Sequence, residues 1–455
     1  MHTWFRGTLA VAGTCWLGLG VAAARGSQPG PLRVGIATAD ITPESPAWLR
    51  GFGNRDNVKP SEGVARKLLA ECAVFDNGQT RVALVALDLC NLGYRQLLGL
   101  RAAAEAAGIP QQHLMVNVSH THFGPRIEEP QPGQRNSEYA ALFTDRTRGL
   151  FAAAVADLQP AVLDYTVGSC AMGMNRRQLR PDGTYRGGPE PRKAIDPDVP
   201  VLRVLNAEGQ VRAVLFGYAC HPTTAGGRAM FLVGTDYPGY ARDWVAAAYP
   251  GAVPIFFQGC GGDIKPRAIR PSNGESRGQF HCVLLNEEEM KKAVGYELGR
   301  AVVAATAVPP PPVPADRSAE LEKALATPVV LGGIVETVSL PSKADPKRMG
   351  DYRWHMGAWR IGDVCIFGSQ GELLNAIGRR IKSESPGVRL WANGYTHWGG
   401  GYFADAASRP EGGYEVENTA FAVEAEEIMV GNARRYVKEL QTDPVHAAPI
   451  PRLHP

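Results

Sequence analysis

Three runs of apolar residues along the chain have the length of a buried β-strand and end at glycine or proline. They cover residues 114–119, 213–220 and 363–370. His120 follows the first run, His221 the second and Glu372 the third. Because ligand sites in α/β proteins lie outside the carboxyl ends of the strands, this pattern predicts that the three side chains share one site.

The rest of the chain alternates predicted strands and helices. Asp76-Asn77-Gly78 is a strong hairpin signal between two strand patterns, at residues 68–75 and 81–88. A second hairpin joins residues 199–205 and 211–219, and further strands are predicted at 253–257, 329–340 and 364–367. Helices are predicted at residues 95–107, 137–158, 240–248, 286–307 and 419–440. This order predicts an α/β fold of layered mixed β-sheets flanked by helices.

The N-terminus has the pattern of a secretory signal. His2 and Arg6 precede an apolar stretch at residues 9–21, and Ala22 to Ala24 supply a small-residue cleavage site. The stretch is too short to be a good membrane span. We therefore expect residues 1–24 to be a signal peptide that is cleaved near Ala24, and the mature chain to be exported to the periplasm or the extracellular space.

The remaining sequence is predicted to form one domain over residues 33–441. A proline-rich connector at residues 309–314 is the best internal boundary. It does not need to separate two domains, because Glu372 must return to the same site as the histidines. Residues 442–455 are predicted to be a flexible tail.

Composition narrows the class of protein. The chain has 455 residues, of which 44% are hydrophobic, enough for a large core. Its net charge of +3 is slight, and no dense block of lysine and arginine occurs, so nothing indicates a nucleic-acid partner. The cysteines outside the signal are odd in number and widely spread, which does not predict a disulfide framework. Cys72, Cys220 and Cys365 lie in apolar patterns and are expected to be buried, while one or two disulfides stay open.

The segment His120-Thr121-His122 concentrates the candidate chemistry. Because an extended strand repeats every two residues, His120 and His122 are predicted to project from the same side. Two such imidazoles can both bind zinc, or one can bind while the other moves protons. His120, His221 and Glu372 make a common catalytic zinc set that leaves a coordination position for water. The alternative is that the three are unrelated polar residues at strand ends.

Short motifs run in order from about residue 33 to residue 440. They lie at residues 34–43, 119–125, 174–177, 219–223, 258–263, 371–372, 378–380, 401–402 and 413–415. As an ordered set they resemble the neutral/alkaline (non-lysosomal) ceramidase family, zinc amidohydrolases that cleave the N-acyl bond of ceramide. The resemblance covers the catalytic domain of that family and not its C-terminal immunoglobulin-like domain. It implies a neutral-ceramidase-like catalytic domain.

The resemblance also implies roles for individual residues. One Zn²⁺ per chain is implied, with the ligands His120, His221, Glu372 and Tyr402. The residues implied to handle protons or the substrate carbonyl are His122, Arg176 and Tyr414. Tyr402 and Tyr414 are twelve residues apart, as in the family. In the family, the segment that matches Tyr395 lies closer to the first of these tyrosines than it does here. Tyr395 therefore stays open as an alternative fourth ligand.

These residue types suit amide hydrolysis. Zinc polarises a carbonyl and lowers the pKa of bound water from about 15.7 toward 7. His122 can take the proton of that water and return it to the departing amine. Arg176 and Tyr414 can donate hydrogen bonds to the oxyanion, an effect worth about 3 kcal/mol per donor. We expect a secreted zinc-dependent amidohydrolase that cleaves ceramide or a related N-acyl lipid.

Two departures from the family leave the substrate open. Phe123 occupies a position that is usually small, and residues 399–401 are three glycines that loosen a segment expected to shape the pocket. The alternatives are a zinc hydrolase of a soluble, non-lipid amide or ester, and a secreted non-catalytic binding module with a structural metal. The expected partners are a small-molecule or lipid amide and, transiently, a membrane surface; the oligomeric state is open.

Overall fold

The protein was analysed as a computed structural model, which describes residues 29–128, 134–224, 227–267, 287–306, 318–344 and 349–441. The predicted signal peptide, the proline-rich connector at 309–314 and the predicted tail lie outside the described residues. The boundaries of the domain at residues 33 and 441 therefore stay a prediction. Among the helices that the structure describes, none has both the length and the apolar character needed to cross a membrane.

The described residues form twenty strands and nine α-helices. The strands are β1 Arg33–Asp40, β2 Gly63–Val64, β3 Leu69–Asp76, β4 Arg81–Leu87, β5 Leu114–Val118, β6 Gln159–Pro160, β7 Val162–Ser169, β8 Gly173–Leu179, β9 Tyr185–Glu190, β10 Asp198–Leu205, β11 Val211–Tyr218, β12 Leu232–Val233, β13 Val253–Gln258, β14 Ile264–Pro266, β15 Leu331–Pro341, β16 Met349–Ile361, β17 Val364–Ser369, β18 Glu372–Leu373, β19 Arg389–Asn393 and β20 Tyr402–Phe403. The helices are α1 Tyr94–Ala106, α2 Ser137–Arg148, α3 Leu150–Ala156, α4 Tyr237–Ala248, α5 Glu287–Ala305, α6 Ser318–Ala326, α7 Asn375–Ser383, α8 Tyr414–Glu417 and α9 Ala425–Gln441.

Three mixed sheets dominate the described part of the chain. Their strand orders are β5-β4-β3-β1-β6, β13-β11-β10-β7 and β15-β16-β17-β19. Each sheet is largely antiparallel and has one parallel pair that involves an edge strand: β4 with β5, β11 with β13, and β17 with β19. The fold class predicted from the sequence, layered mixed sheets flanked by helices, is confirmed.

The inner faces of the three sheets share one hydrophobic cluster. Side chains from all three meet in it, among them Phe75, Leu215 and Trp359. On its outer face each sheet packs against helices and forms a cluster of its own: α1 to α3 with the first sheet, α4 and α5 with the second, and α7 and α9 with the third. The three sheets are therefore held against one another by burial of apolar surface, which positions their strand ends.

The predicted elements are present, two of the helices with clearly different bounds, but several described strands were not predicted, among them β7, β8, β9, β16 and β19. The single helix predicted at residues 137–158 is divided at Gly149 into α2 and α3. The helix predicted at 419–440 begins only at Ala425, because the preceding residues pair with other segments, as Phe421 does with Ser342. The long strand β16 was not predicted, since its residues 349–361 alternate poorly between apolar and polar types.

Two local predictions are confirmed. The Asp76-Asn77-Gly78 turn joins β3 to β4 as an antiparallel hairpin, and Gly78 adopts a positive φ of 84° that favours glycine there. Cys72, Cys220 and Cys365 are buried, and all six cysteines that the structure classifies are free thiols. No disulfide therefore forms among these six.

Candidate metal centre

The three predicted ligands follow the carboxyl ends of strands in three different sheets. His120 lies two residues after β5, His221 three residues after β11 and Glu372 three residues after β17. Asn117 of β5 helps to hold these ends together, because its side chain bonds to the backbone of Gln258 and of Gly394. The segments that carry the ligands are thereby joined through buried polar contacts.

The ligand atoms of His120, His221 and Glu372 converge. Nε2 of His221 lies 2.9 Å from Oε2 of Glu372, and Nε2 of His120 lies 3.4 Å from the same oxygen. The ligand atoms of all three residues lie within 4.8 Å of one another, and all three residues are buried. Because zinc binds nitrogen and oxygen at about 2 Å, one ion can bridge this set.

Backbone carbonyls fix the orientation of both imidazoles. Nδ1 of His120 lies 2.7 Å from the carbonyl oxygen of Cys90, and Nδ1 of His221 lies 2.7 Å from that of Gly261. A carbonyl oxygen only accepts, so each Nδ1 carries the hydrogen and donates it. When such a ring is neutral, the lone pair of its Nε2 faces Glu372, as it does in histidines that bind a metal.

The local backbone differs from the strand geometry predicted for His120 and His122. The strand β5 ends at Val118, and His120 has a φ of +60°, in the left-handed region. The two rings approach each other because the chain turns, not because an extended strand repeats. Tyr395 and His397 also have positive φ values, of 55° and 66°. Such strain in non-glycine residues is concentrated at functional sites.

His122 lies beside the predicted ligands. Its Nε2 is 3.2 Å from Nε2 of His120, and the ring packs against Phe52 with centroids 4.8 Å apart. Burial lowers the pKa of His122 well below its usual range, so the ring is neutral near pH 7. Its Nδ1 is buried and has no hydrogen-bond partner among the described residues. A neutral imidazole in this position can accept a proton.

Glu372 supplies the negative charge of the site. Burial on its own raises the pKa of a carboxyl group, but His120 and His221 hold the pKa of Glu372 well below its usual range. The side chain is therefore a carboxylate, as a metal ligand must be. Gly371, with a φ of +76°, makes the turn from β17 into this residue.

Arg176 reaches the site from a position opposite a β-bulge. The pairing of β8 with β9 shifts register between Asn175 and Arg177, where Arg176 lies opposite two residues of β9, Gly188 and Pro189, and bulges of this kind redirect side chains. Its Nη2 donates to the hydroxyl of Tyr402 at 2.8 Å, and its Nε donates to Oε1 of Glu415 at 2.7 Å. The guanidinium is thus held rigidly by two partners.

Glu415 is a residue of the site to which the sequence assigned no role. Its second oxygen, Oε2, accepts from Nη1 of Arg177 at 3.0 Å, so one buried carboxylate holds two arginines. Glu415 follows Tyr414 directly in the tyrosine motif, and this adjacency is the one signal in the sequence that could have identified it. Asp263, the last residue of the motif at 258–263, accepts from Nδ2 of Asn175 and from the backbone N–H of Asn375.

The three tyrosines differ in their surroundings. Tyr402 pairs in register with Glu372, and its hydroxyl accepts the hydrogen bond from Arg176. The ring of Tyr395 lies 4.4 Å from the ring of His120, between centroids, and its buried hydroxyl has no partner among the described residues. Tyr414 is 57% exposed and contacts the ring of Tyr402 from outside. The choice between Tyr402 and Tyr395 as fourth ligand stays a prediction.

The residues of this site fit a zinc ion. Two imidazoles with fixed Nδ1 hydrogens and one carboxylate are a donor set that zinc prefers. The buried hydroxyl of Tyr395 and the buried Nδ1 of His122, both without partners among the described residues, show that the surrounding polar groups are not saturated by the protein.

Comparisons with known proteins give a consistent result. None of the protein-family models searched matches the chain. The neutral ceramidase of Pseudomonas aeruginosa is 25% identical over 272 residues, which are 55% of this chain and 39% of that protein. The aligned region therefore spans less than half the length of this curated relative.

Two solved structures share the fold. A ceramidase complexed with C2 matches with a TM-score of 0.70 at 18% identity, over 93% of this chain and 77% of the other. The neutral ceramidase from Pseudomonas aeruginosa matches with a TM-score of 0.68 at 18% identity, over 93% and 76%. The chain is therefore similar in sequence to a neutral ceramidase, and the described residues share the fold of the neutral ceramidase structures.

Proposed function

We propose that the chain is a zinc-dependent hydrolase that cleaves an N-acyl amide bond. The observation that supports this most directly is the convergence of His120, His221 and Glu372 with both imidazoles fixed through Nδ1. The relatives that share the fold are ceramidases, which supports an amide of a fatty acid as the substrate class.

The ion would be held by His120, His221 and Glu372, with Tyr402 or Tyr395 as a fourth ligand. A bound zinc ion supplies a Lewis acid that polarises the amide carbonyl and acidifies water. Glu372 brings a single negative charge, so the site with a divalent ion keeps a net positive charge. That charge favours the build-up of negative charge on the substrate.

His122 is proposed as the general base and then the general acid. Its ring is held between His120 and Phe52 and is neutral near pH 7. It can take a proton from the attacking water and deliver it to the nitrogen of the leaving amine. An amine is a poor leaving group unless its nitrogen is protonated, so this second transfer is as necessary as the first.

Arg176 and the tyrosines are proposed to bind the carbonyl oxygen. Glu415 fixes one edge of the guanidinium, which leaves the edge that faces Tyr402 to orient that hydroxyl. Donors that are already in place cost no reorganisation when the oxygen becomes negative, so they stabilise the transition state more than the substrate. The exposed Tyr414 would reach this oxygen from the outer side.

A cavity of about 760 Å³ lies near the site, although none of the proposed ligands or catalytic residues is in its wall. Aromatic rings line it, namely Trp48, Tyr94 and Trp398. Asp56, which also lines it, accepts the backbone N–H groups of Gly51 and Phe52, the segment that packs on His122. Its volume and its rings suit an acyl chain, and we propose that the acyl part of the substrate binds there.

Export is a separate proposal that rests on the N-terminal sequence. The apolar stretch at 9–21 and the alanines at 22–24 have the pattern of a cleaved signal. N-terminal sequencing of the protein from an expressing cell tests it. A first residue near Arg25 supports the proposal, and an intact N-terminus contradicts it.

Metal analysis combined with a panel of amides tests the proposed function. We expect one zinc per chain and hydrolysis of ceramide or of another long-chain N-acyl amide. His122→Ala should keep the zinc and lose about 100-fold or more in kcat. His113→Ala is the matched control. His113 lies at the end of β5 that is far from His122, and its Nδ1 bonds to the backbone carbonyl of Arg81. A zinc-free protein that is still active contradicts the proposal, as does full activity of His122→Ala.

A further inference from the structure

A second cavity, of about 410 Å³, lies on the other side of Arg176. It covers the three-stranded sheet of β14, β8 and β9, and the residues that line it include Arg176, Lys265 and Arg267. No aspartate or glutamate is among the lining residues that the structure describes. The cavity therefore combines three cationic side chains with no acid in its wall.

Lys265 is the unusual member of this group. Arg176 is paired with Glu415, and Arg267 with Glu297. Lys265 is partly buried, and its ammonium group has no hydrogen bond or ion pair with any described residue; burial, followed by the charge of Arg176, lowers its pKa. A partly buried ammonium group without a partner is costly, and a bound anion would remove that cost.

The cavity is connected to the metal centre through Arg176. The same guanidinium that lines it donates to the hydroxyl of Tyr402, and Tyr402 pairs in register with Glu372. A group bound beside Lys265 is thus separated from the metal ligands by two side chains. A substrate that occupies both places must therefore extend past Arg176.

We propose that this cavity binds a carboxylate of the substrate, so that the preferred substrates are N-acyl amides that carry an anionic group within a few atoms of the scissile bond. This inference rests on the proposed amide hydrolysis and specifies its substrate class. Lys265 and Arg267 bind the carboxylate, while the acyl chain occupies the larger, aromatic cavity. A volume of about 410 Å³ suits a small polar head group.

The floor of the cavity allows a variant that blocks it without removing charge. Gly187 lines the cavity, and a Cβ placed on it would meet no atom within 4 Å. Gly187→Leu should therefore project into the cavity without a backbone clash. Lys265→Met removes the charge and keeps the volume of the side chain.

The test compares three amides with the same chain length: N-dodecanoylglycine, N-dodecanoylethanolamine and N-dodecylsuccinamic acid. The first has a carboxylate on the amine side, the second is neutral, and the third has a carboxylate on the acyl side. We expect N-dodecanoylglycine to exceed the neutral amide about tenfold or more in kcat/KM, because its acyl chain can occupy the larger cavity while its carboxylate lies on the amine side. Equal kcat/KM for all three amides, or a preference for N-dodecylsuccinamic acid, overturns the proposal.

Variants assign the preference to the cavity. Lys265→Met should lower the ratio of acidic to neutral kcat/KM about tenfold, and Gly187→Leu should lower it as well. Lys438→Met, on the exposed side of α9, is the matched control and should keep the ratio. An unchanged ratio in the cavity variants that fold would overturn the inference, and one folded variant is enough for this test.

Binding to metal-free protein separates this inference from the proposed hydrolysis. After EDTA treatment, calorimetry should show tighter binding of N-dodecanoylglycine than of N-dodecanoylethanolamine, and Lys265→Met should abolish the difference. If the metal-free protein discriminates between the two amides but the zinc form hydrolyses none, the proposed function is wrong and the carboxylate site is supported. If the zinc form hydrolyses amides but binding shows no discrimination, the proposed function is supported and the carboxylate site is wrong.

Discussion

The side chain of Asn117 bonds to the backbone of Gln258 in both directions. Its Oδ1 accepts the N–H of Gln258 at 2.8 Å, and its Nδ2 donates to the carbonyl of Gln258 at 3.2 Å and to that of Gly394 at 2.9 Å. One fully buried amide thus ties the edge strands β5 and β13 and the turn after β19. The strands β5, β13 and β19 each form one edge of a large sheet, and these edges meet beside the candidate metal centre.

Asn117→Ala should be strongly destabilising. It leaves the buried N–H of Gln258 without its partner, and an unsatisfied buried group of this kind costs about 1–3 kcal/mol. We expect a loss of about 3 kcal/mol in the free energy of unfolding, measured with urea. Asn432→Ala on α9, which removes a single bond to the carbonyl of Ile428, should cost less than half as much. Equal losses would contradict the role given to Asn117.

Removal of metal should lower the stability of the protein. A ligand that binds only the folded state at 1,000 times its Kd stabilises it by about 4 kcal/mol. EDTA should therefore lower Tm by several degrees in the wild type and by almost nothing in His221→Ala. Thermal unfolding with and without EDTA, followed by addition of zinc, measures both shifts. A similar EDTA effect in both proteins would show that the metal binds elsewhere.

Gly51→Ala should reduce activity while the zinc stays bound. Gly51 has a φ of +122°, and a Cβ there would lie 2.4 Å from Cγ of His122. The imidazole must move, and a displacement of about 1 Å in a catalytic group can cost 100-fold in rate. Gly78→Ala, at a φ of +84° with no atom within 4 Å, carries backbone strain alone and serves as the control. Normal turnover in Gly51→Ala would exclude His122 as the proton carrier.

Glu415→Gln should weaken both stability and catalysis. The change leaves the buried side chains of Arg176 and Arg177 without the carboxylate that they share. Removing one partner of a buried ion pair costs about 3–5 kcal/mol. Urea unfolding and kcat measure the two effects, with zinc content as the check that the metal site is intact. Glu427→Gln, at an exposed pair with Arg380, is expected to change neither.

The pH dependence of stability should carry a contribution from Glu71. Burial, followed by the nearby Asp88, raises the pKa of Glu71 from 4.5 to about 7, although Arg242 opposes the rise. The folded protein therefore holds this proton more tightly than the unfolded chain. Consequently the free energy of unfolding falls as the pH rises from about 4.5 to 7, by about 3 kcal/mol.

Glu71→Gln isolates this contribution. The wild type and the variant should differ in the slope of unfolding free energy against pH between about 4.5 and 7, and should run parallel above that range. Urea titrations at several pH values provide the comparison. Parallel curves throughout would mean that the guanidinium of Arg242, which donates to Glu71 and Asp88 at 2.6 Å each, neutralises both carboxylates.

The sequence predicted the positions of the candidate ligands better than the path of the chain between them. Each strand before His120, His221 and Glu372 is a continuous apolar run, and a run of this kind with a glycine or proline stop is a local signal. The turn at His120 was missed, because a left-handed backbone in a histidine is imposed by tertiary contacts such as the bond from its Nδ1 to Cys90.

The contacts that the sequence did not reveal are those between distant segments. Glu415 and Lys265 gain their significance from Arg176, which lies far from both along the chain and opposite the bulge of β9. Neither residue is part of a periodic pattern of apolar positions, so no local sequence pattern identifies it. The strand β16 was missed for the related reason that its pairing with β15 and β17, and not its own alternation, makes it a strand.

The distribution of the three candidate ligands over three sheets has a consequence for how the chain matures. His120 and Glu372 are separated by more than half of the sequence, so no early fragment or partly docked intermediate offers a complete coordination sphere. An ion held by these three residues would therefore be captured late, after all three sheets have packed around their common interior. Metal content would then distinguish correctly folded molecules from kinetically trapped ones that have only the native secondary structure.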